Sequence, residues 1–135
     1  MDLYKTLSVS AAGMKAQGTR LRVIAENMAN SESTSEVPGG DPYRRKTVTF
    51  RNALDRNLGI ETVEVSRIGT APGEFTRRYD PGHPAADAEG YVLMPNVNSL
   101  VEMADMREAQ RSYEANLRVL QATRSMLEET IGVLR

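Results

Sequence analysis

Residues 99–134 read SLVEMADMREAQRSYEANLRVLQATRSMLEETIGVL. Within them Met106, Tyr113, Leu120, Leu127 and Leu134 fall at strict sevens, and Met103, Gln110, Leu117, Arg124 and Ile131 run as a companion series three residues ahead. A repeat of seven keeps both series on one stripe of a helix, the pattern of a narrow coiled-coil seam. Pro95 lies just outside the stretch, and Ser99 followed by Glu102 reads as a capping box for its first turn. Glu114 and Arg118 add a favourable i,i+4 pair. The spacing therefore predicts a helix from about 100 to 134, roughly 50 Å long at 1.5 Å per residue.

The opposite end of the chain repeats the pattern less cleanly. Leu7, Met14, Leu21 and Met28 recur at sevens, with Leu3, Ser10, Gln17 and Ile24 four residues ahead of them. Gly13 and Gly18 each weaken such a helix by roughly 1 kcal/mol relative to Ala. Alone in water it is expected to be marginal. Between the helices, residues 31–42 are a loop by composition, SESTSEVPGGDP. Tyr43–Phe50 and Ile60–Ile68 are β-type runs, the second alternating through Val63 and Val65, and Phe75–Tyr79 and Tyr91–Leu93 are two shorter candidates. Turn signals at 57–59, 72–73 and 80–82 separate them. The expected fold class is α+β: long N- and C-terminal helices packing as a coiled-coil-like pair, with a small antiparallel β module inserted between them. The expected division is a helical domain, 1–30 with 96–135, and a middle module, 31–95, that folds with little help from the helices.

Composition removes several function classes. There is no Cys, so disulfides and thiolate chemistry are excluded, and a single His leaves no multi-histidine metal site. The formal net charge of -1 argues against a nucleic-acid binder, which needs a clustered basic excess. No window reaches the roughly 18 apolar residues of a transmembrane helix, and Met1-Asp2-Leu3-Tyr4-Lys5 opens no stretch of signal-peptide length. Asp80, His83, Asp87 and Glu89 are the one concentration of acid/base and ligand types. Their spacing matches neither an EF-hand nor a zinc site, and a rigid Pro-stiffened connection explains them. Arg44-Arg45-Lys46 reads as a solvated or subunit-facing strand edge. Asn27, Asn30, Asn96 and Asn98 flank helix ends and read as caps. No catalytic residue, cofactor or metal is expected, and the chain does not read as an enzyme.

Two long helices with narrow apolar seams do not stay unpaired in water. Apolar residues also lie off the seams, at Val9, Ala11, Ala12, Val23 and Ala25 and at Val101, Ala115 and Val133. The reading is that burial is completed against neighbouring subunits. The packing residues are Leu3, Leu7, Met14, Leu21, Ile24 and Met28 on the first helix. On the second they are Met103, Met106, Tyr113, Leu117, Leu120, Leu127, Ile131 and Leu134, with Ser99 and Glu102 as its cap. From the residues alone an intramolecular hairpin and a cytoplasmic coiled-coil adaptor or chaperone stay open.

Three stretches carry a resemblance. Ser10-Ala11-Ala12-Gly13-Met14-x-Ala16-Gln17, continued by Arg20-Leu21-x-Val23-Ile24-Ala25-Glu26-Asn27-Met28-Ala29-Asn30, resembles the N-terminal signature of bacterial flagellar rod and hook proteins. Tyr79-Asp80-Pro81-Gly82-His83-Pro84-x-Ala86-Asp87-x-x-Gly90-Tyr91-Val92 is similar to a stretch of the proximal-rod branch. Pro95-Asn96-Val97-Asn98, Glu102-Met103, Met106 and Arg111-Ser112-Tyr113-Glu114-Ala115-Asn116 match that branch's last helix. Together they cover about 85 of the 135 residues, and residues 36–70 carry no resemblance. Met28 departs from the Ile or Leu usual there, and the Thr-x-Gly of distal rod and hook proteins is absent after Asn30. The resemblance implies a structural subunit of the proximal rod of the basal body, part of a drive shaft crossing the periplasm. It implies export through the flagellar type III apparatus without a cleaved signal. The implied partners are further copies of the chain, FlgB, FlgF, FlgG and FliE, with no nucleic acid and no membrane span.

Overall fold

In a computed structural model, residues 2–135 are described. Their order is α1 (Leu3–Ala29), β1 (Lys46–Asp55), β2 (Ile60–Thr70), β3 (Thr76–Tyr79), β4 (Tyr91–Met94) and α2 (Ser99–Val133). The α+β architecture expected from the sequence holds, with two long helices bracketing antiparallel hairpins.

Local chemistry sets the element ends. Asp2 caps α1 by accepting the Tyr4 and Lys5 amides on Oδ1, at 3.1 and 3.3 Å. The cap of α2 lies one residue before the expected capping box: Asn98 Oδ1 accepts the Leu100 and Val101 amides at 3.0 and 3.4 Å. Ser99 is thus the first helical residue, and the Glu102 carboxylate does not turn back to close a box, because it is engaged elsewhere. In the β1–β2 hairpin Asp55 Oδ1 accepts the Asn57 and Leu58 amides, and Gly59 takes φ +63° to close the turn. Strands β3 and β4 pair antiparallel from Thr76 opposite Met94 to Tyr79 opposite Tyr91. Gly90 holds φ +86°, and a Cβ there would come within 3.0 Å of the Tyr79 ring, so the connection between these strands requires glycine.

The chain folds as two compact units, each built from parts of both helices and of the intervening segment. One comprises Met1–Leu21, Val48–Arg67 and Arg107–Arg135. In it the two helix portions run antiparallel, since Arg20 pairs with Glu108 at 3.6 Å while Leu7 and Ala11 share a groove with Leu120 and Leu127. The enclosed positions are small: Ser10, Gly13, Ala16, Ala109 and Thr123. At Gly13 a Cβ would lie 2.9 Å from Asn116 Nδ2, so the backbones approach closely because no side chain separates them.

The other unit comprises Arg22–Thr47 and Ile68–Met106. Its apolar interior is Val23, Ile24, Ala85 and Val92, each of the larger three contributing about 1.5–3 kcal/mol on burial. Strand β3 is exposed along its whole length, so the short hairpin has no core of its own. Each unit combines part of the middle segment with parts of both helices.

Candidate assembly site

Two of the most enclosed side chains of the second unit are polar. Glu102, at 0% exposed, and Asn27, at 1%, meet from α2 and α1, with Asn27 Nδ2 donating to Glu102 Oε2 at 3.4 Å. Asn27 also pairs with the backbone of Lys46 as a strand would: its Oδ1 accepts the Lys46 amide and its Nδ2 donates to the Lys46 carbonyl, both at 2.9 Å. The Tyr43 hydroxyl donates to the same Oδ1 at 2.8 Å. Two donors and two acceptors are thus all used, the full capacity of a buried amide. Arg45 Nε donates to Glu102 Oε1, and its NH2 lies 3.6 Å from Asp105. Asn96 Oδ1 accepts the Arg45 amide at 2.8 Å. Together these groups form a clamp joining β1 to both helices within the unit.

The basic cluster makes its contacts within the chain, although the Lys46 side chain stays 43% exposed. Arg44 donates to the carbonyls of Ala71 and Gly73, at 2.9 Å each, and its guanidinium stacks 4.3 Å above the Phe75 ring. Lys46 reaches Glu26 at 3.0 Å. Asn98 and Asn30 serve helix ends as expected, whereas Asn27 bridges to the first residue of β1 and Asn96 to Arg45 just before it. The sequence reading missed the clamp because it joins residues up to 75 positions apart. One signal was available: Glu102, Ala109, Asn116 and Thr123 are themselves spaced by sevens, beside the Met106 series.

The packing residues divide by exposure. Ile24 is buried; Leu3, Leu7, Met14, Leu21 and Met28, with Met106, Tyr113, Leu117, Leu120 and Leu127, are half-buried. Met103 and Ile131 are exposed, and so is Leu134, one residue past α2. Within the chain, the stripe accompanying the Met106 series lies one residue earlier than the Met103 series, at Glu102, Ala109, Asn116 and Thr123. Apolar side chains also remain open elsewhere on α2: Leu100 and Val101 near its start, and Val119, Met126 and Val133, seven apart, along its second half. Val133 is 86% exposed. An apolar face of this length on a solvated helix is the kind that marks an interaction surface.

The acid/base cluster is occupied by structural roles. Asp87 Oδ1 accepts the Glu89 and Tyr91 amides at 2.9 Å each, and Arg77 bridges Asp87 and Glu89 at 3.5 and 3.2 Å. His83 Nδ1 accepts the Ala85 amide. Among the described residues no group of three or more His, Cys, Asp or Glu is arranged to hold a metal ion, and no helix is long and apolar enough to cross a membrane.

Two carboxylates here are held below the usual carboxylate range: Glu26 chiefly by its hydrogen bond to Lys46, and Asp87 chiefly by the Tyr91 amide. Lys46 is correspondingly raised by Glu26. A carboxylate with a depressed folded pKa stabilises the fold above its unfolded value and loses that contribution as pH falls through the lower folded one. These two contacts should therefore lower the urea midpoint only as the pH falls below about 4. A midpoint equal at pH 7 and pH 3 would show that neither contact contributes. The Lys46 contribution has the opposite sense and disappears only above the ordinary lysine range.

Comparison with known proteins adds an independent line. The family model described as "Flagellar basal body rod FlgEFG protein C-terminal" matches residues 88–133. Over 127 residues, 94% of this chain and 91% of the relative, it is 54% identical to the flagellar basal-body rod protein FlgC of Agrobacterium fabrum. It is 40% identical to FlgC of Yersinia enterocolitica and 37% identical to FlgC of Salmonella typhimurium, each over 131 residues and 97% of both chains.

Proposed function

This chain belongs to the flagellar basal-body rod protein FlgC family, and from that membership we propose that it is a structural subunit of the bacterial flagellar rod. The match along nearly the whole of its relatives' lengths carries this reading. The finer assignment is the cell-proximal segment of the rod, part of the shaft that carries motor torque across the periplasm. In it residues 1–30 and 96–135 pack into the inner tube, and residues 31–95 face outward. Leu7, Met14, Leu21, Met106, Tyr113, Leu120 and Leu127, with the open residues Met103, Val119, Met126, Ile131, Val133 and Leu134, supply the packing surface between subunits. A shaft needs subunits fixed by many simultaneous contacts, which long interdigitated helices provide. The partners of this reading are further copies of the chain, FlgB, FlgF, FlgG and FliE, with the type III export apparatus during delivery without a cleaved signal. Its work is structural rather than catalytic.

The test is location. A tagged chain that restores swimming to a strain lacking its own gene should co-purify with detergent-extracted basal bodies. Recovery only as a free cytoplasmic pool would contradict the rod reading and favour an adaptor or chaperone.

A further inference from the structure

The turn Asp80-Pro81-Gly82-His83-Pro84 takes no part in the clamp, yet both nitrogens of its imidazole have partners. A backbone amide only donates, so the 3.0 Å contact from the Ala85 N–H to His83 Nδ1 requires a lone pair on Nδ1. Pro84 carries no amide, which makes Ala85 the first residue after the ring able to donate in this way. The ring proton then resides on Nε2, 3.5 Å from Thr34 Oγ1 in the loop 31–42. Ala85 is 3% exposed, and its carbonyl accepts the Gly39 amide at 3.2 Å. One imidazole and the residue two places after it thus tie the turn to a loop more than 40 positions earlier.

The loop is tightly folded over residues 35–40. Val37 N donates to Ser35 Oγ at 3.0 Å and Gly40 N to the Val37 carbonyl at 3.1 Å. A Cβ on Gly40 would fall 2.1 Å from Ser35 Oγ.

We propose that His83 is a pH-sensitive latch that holds loop 31–42 on the 80–86 turn while its imidazole is neutral and releases it when the ring takes a second proton. Protonation places N–H on Nδ1 facing the N–H of Ala85, two donors with no acceptor between them. The Ala85 amide is then buried without a partner, and the Gly39–Ala85 bond loses its support. The carboxylates carried by the two segments meeting at the ring and just after them are Glu32, Glu36 and Asp41 on the loop, Asp80 on the turn, and Asp87 and Glu89 directly following it. None of them restores a lone pair at Nδ1.

The experiment uses the full-length protein labelled with 15N and titrated from pH 8 to pH 5. Imidazole 15N shifts report tautomer and charge, while Ala85 and Gly39 amide exchange is corrected for the intrinsic effect of pH. At the alkaline end the ring should be the Nε2–H tautomer. Protection of both amides should fall about tenfold or more in step with ring protonation, as a buried donor loses its acceptor. His83→Asn keeps an oxygen acceptor near the Nδ1 position and does not titrate, so its protection should stay flat. An Nδ1–H tautomer at pH 8 overturns the proposal on the wild-type protein alone. So does constant protection while the ring titrates, or an equal fall in His83→Asn.

Discussion

Arg45→Met should destabilise the protein by about 3–5 kcal/mol, because it leaves a sealed carboxylate without its cation. Glu102 is wholly enclosed, and after the substitution it keeps the Asn27 amide but no cation. Against a typical total stability of about 5–15 kcal/mol, the loss leaves a chain near its unfolding threshold. The reverse change, Glu102→Gln, should cost less. Arg45 is partly exposed and has Asp105 3.6 Å away, so its charge keeps both a partner and a path to water. The double variant Arg45→Met/Glu102→Gln should recover much of the loss, since no charge is then buried alone. Urea unfolding of the four proteins checks the ordering. Arg45→Met within about 1 kcal/mol of wild type would mean the Glu102 site is open to water in solution.

The second large effect is expected on assembly. Leu120→Asp should abolish swimming and leave no rods in purified basal bodies, while the protein is still made. Leu120 is half-buried in the groove it shares with Leu7, Ala11 and Leu127. Removing a buried leucine costs about 2–5 kcal/mol, and an unpaired carboxylate in an apolar groove adds to that. Every subunit of a polymer would carry the same defect. His83→Asn, which touches neither helix, should assemble and swim in the same assay. Normal swimming by Leu120→Asp would remove the seam from the proposed function.

Both helices, an antiparallel β segment between them and the turn glycine at 59 were legible in the sequence because they follow from local period and local chemistry; strand pairing was not, and the run expected at Tyr43–Phe50 forms β1 at Lys46–Asp55. Sevens located α1 and α2 to within a residue or two, and Asn57-Leu58-Gly59 announced their turn. The pattern gave less weight to the small positions that are sealed. Counting apolar side chains gives weight to Met14 and Leu21, yet the enclosed positions beside them are Ser10, Gly13 and Ala16. Backbones that pack this closely select for small residues, and small residues leave little trace in a hydrophobic pattern. The clamp was hidden for a different reason. Asn27, Arg45 and Glu102 are each ordinary surface types, and only tertiary contact reveals that they satisfy one another. The acid/base cluster was read as structural from its spacing, and the bonds of Asp87 and His83 give it that role in atomic terms.

The Asn27–Lys46 pairing bears on how such a sequence can drift. A leucine in a seam can become methionine or isoleucine one step at a time, each intermediate still packing tolerably. A side-chain amide that copies a strand's hydrogen bonds has no near neighbour of the same reach: aspartate lacks the donor, and glutamine is a methylene too long. Its partners Arg45 and Glu102 are bound by sign as well as by shape. These positions should change rarely, and when they do, together, so a lineage that had replaced one of them would carry its history in the other two.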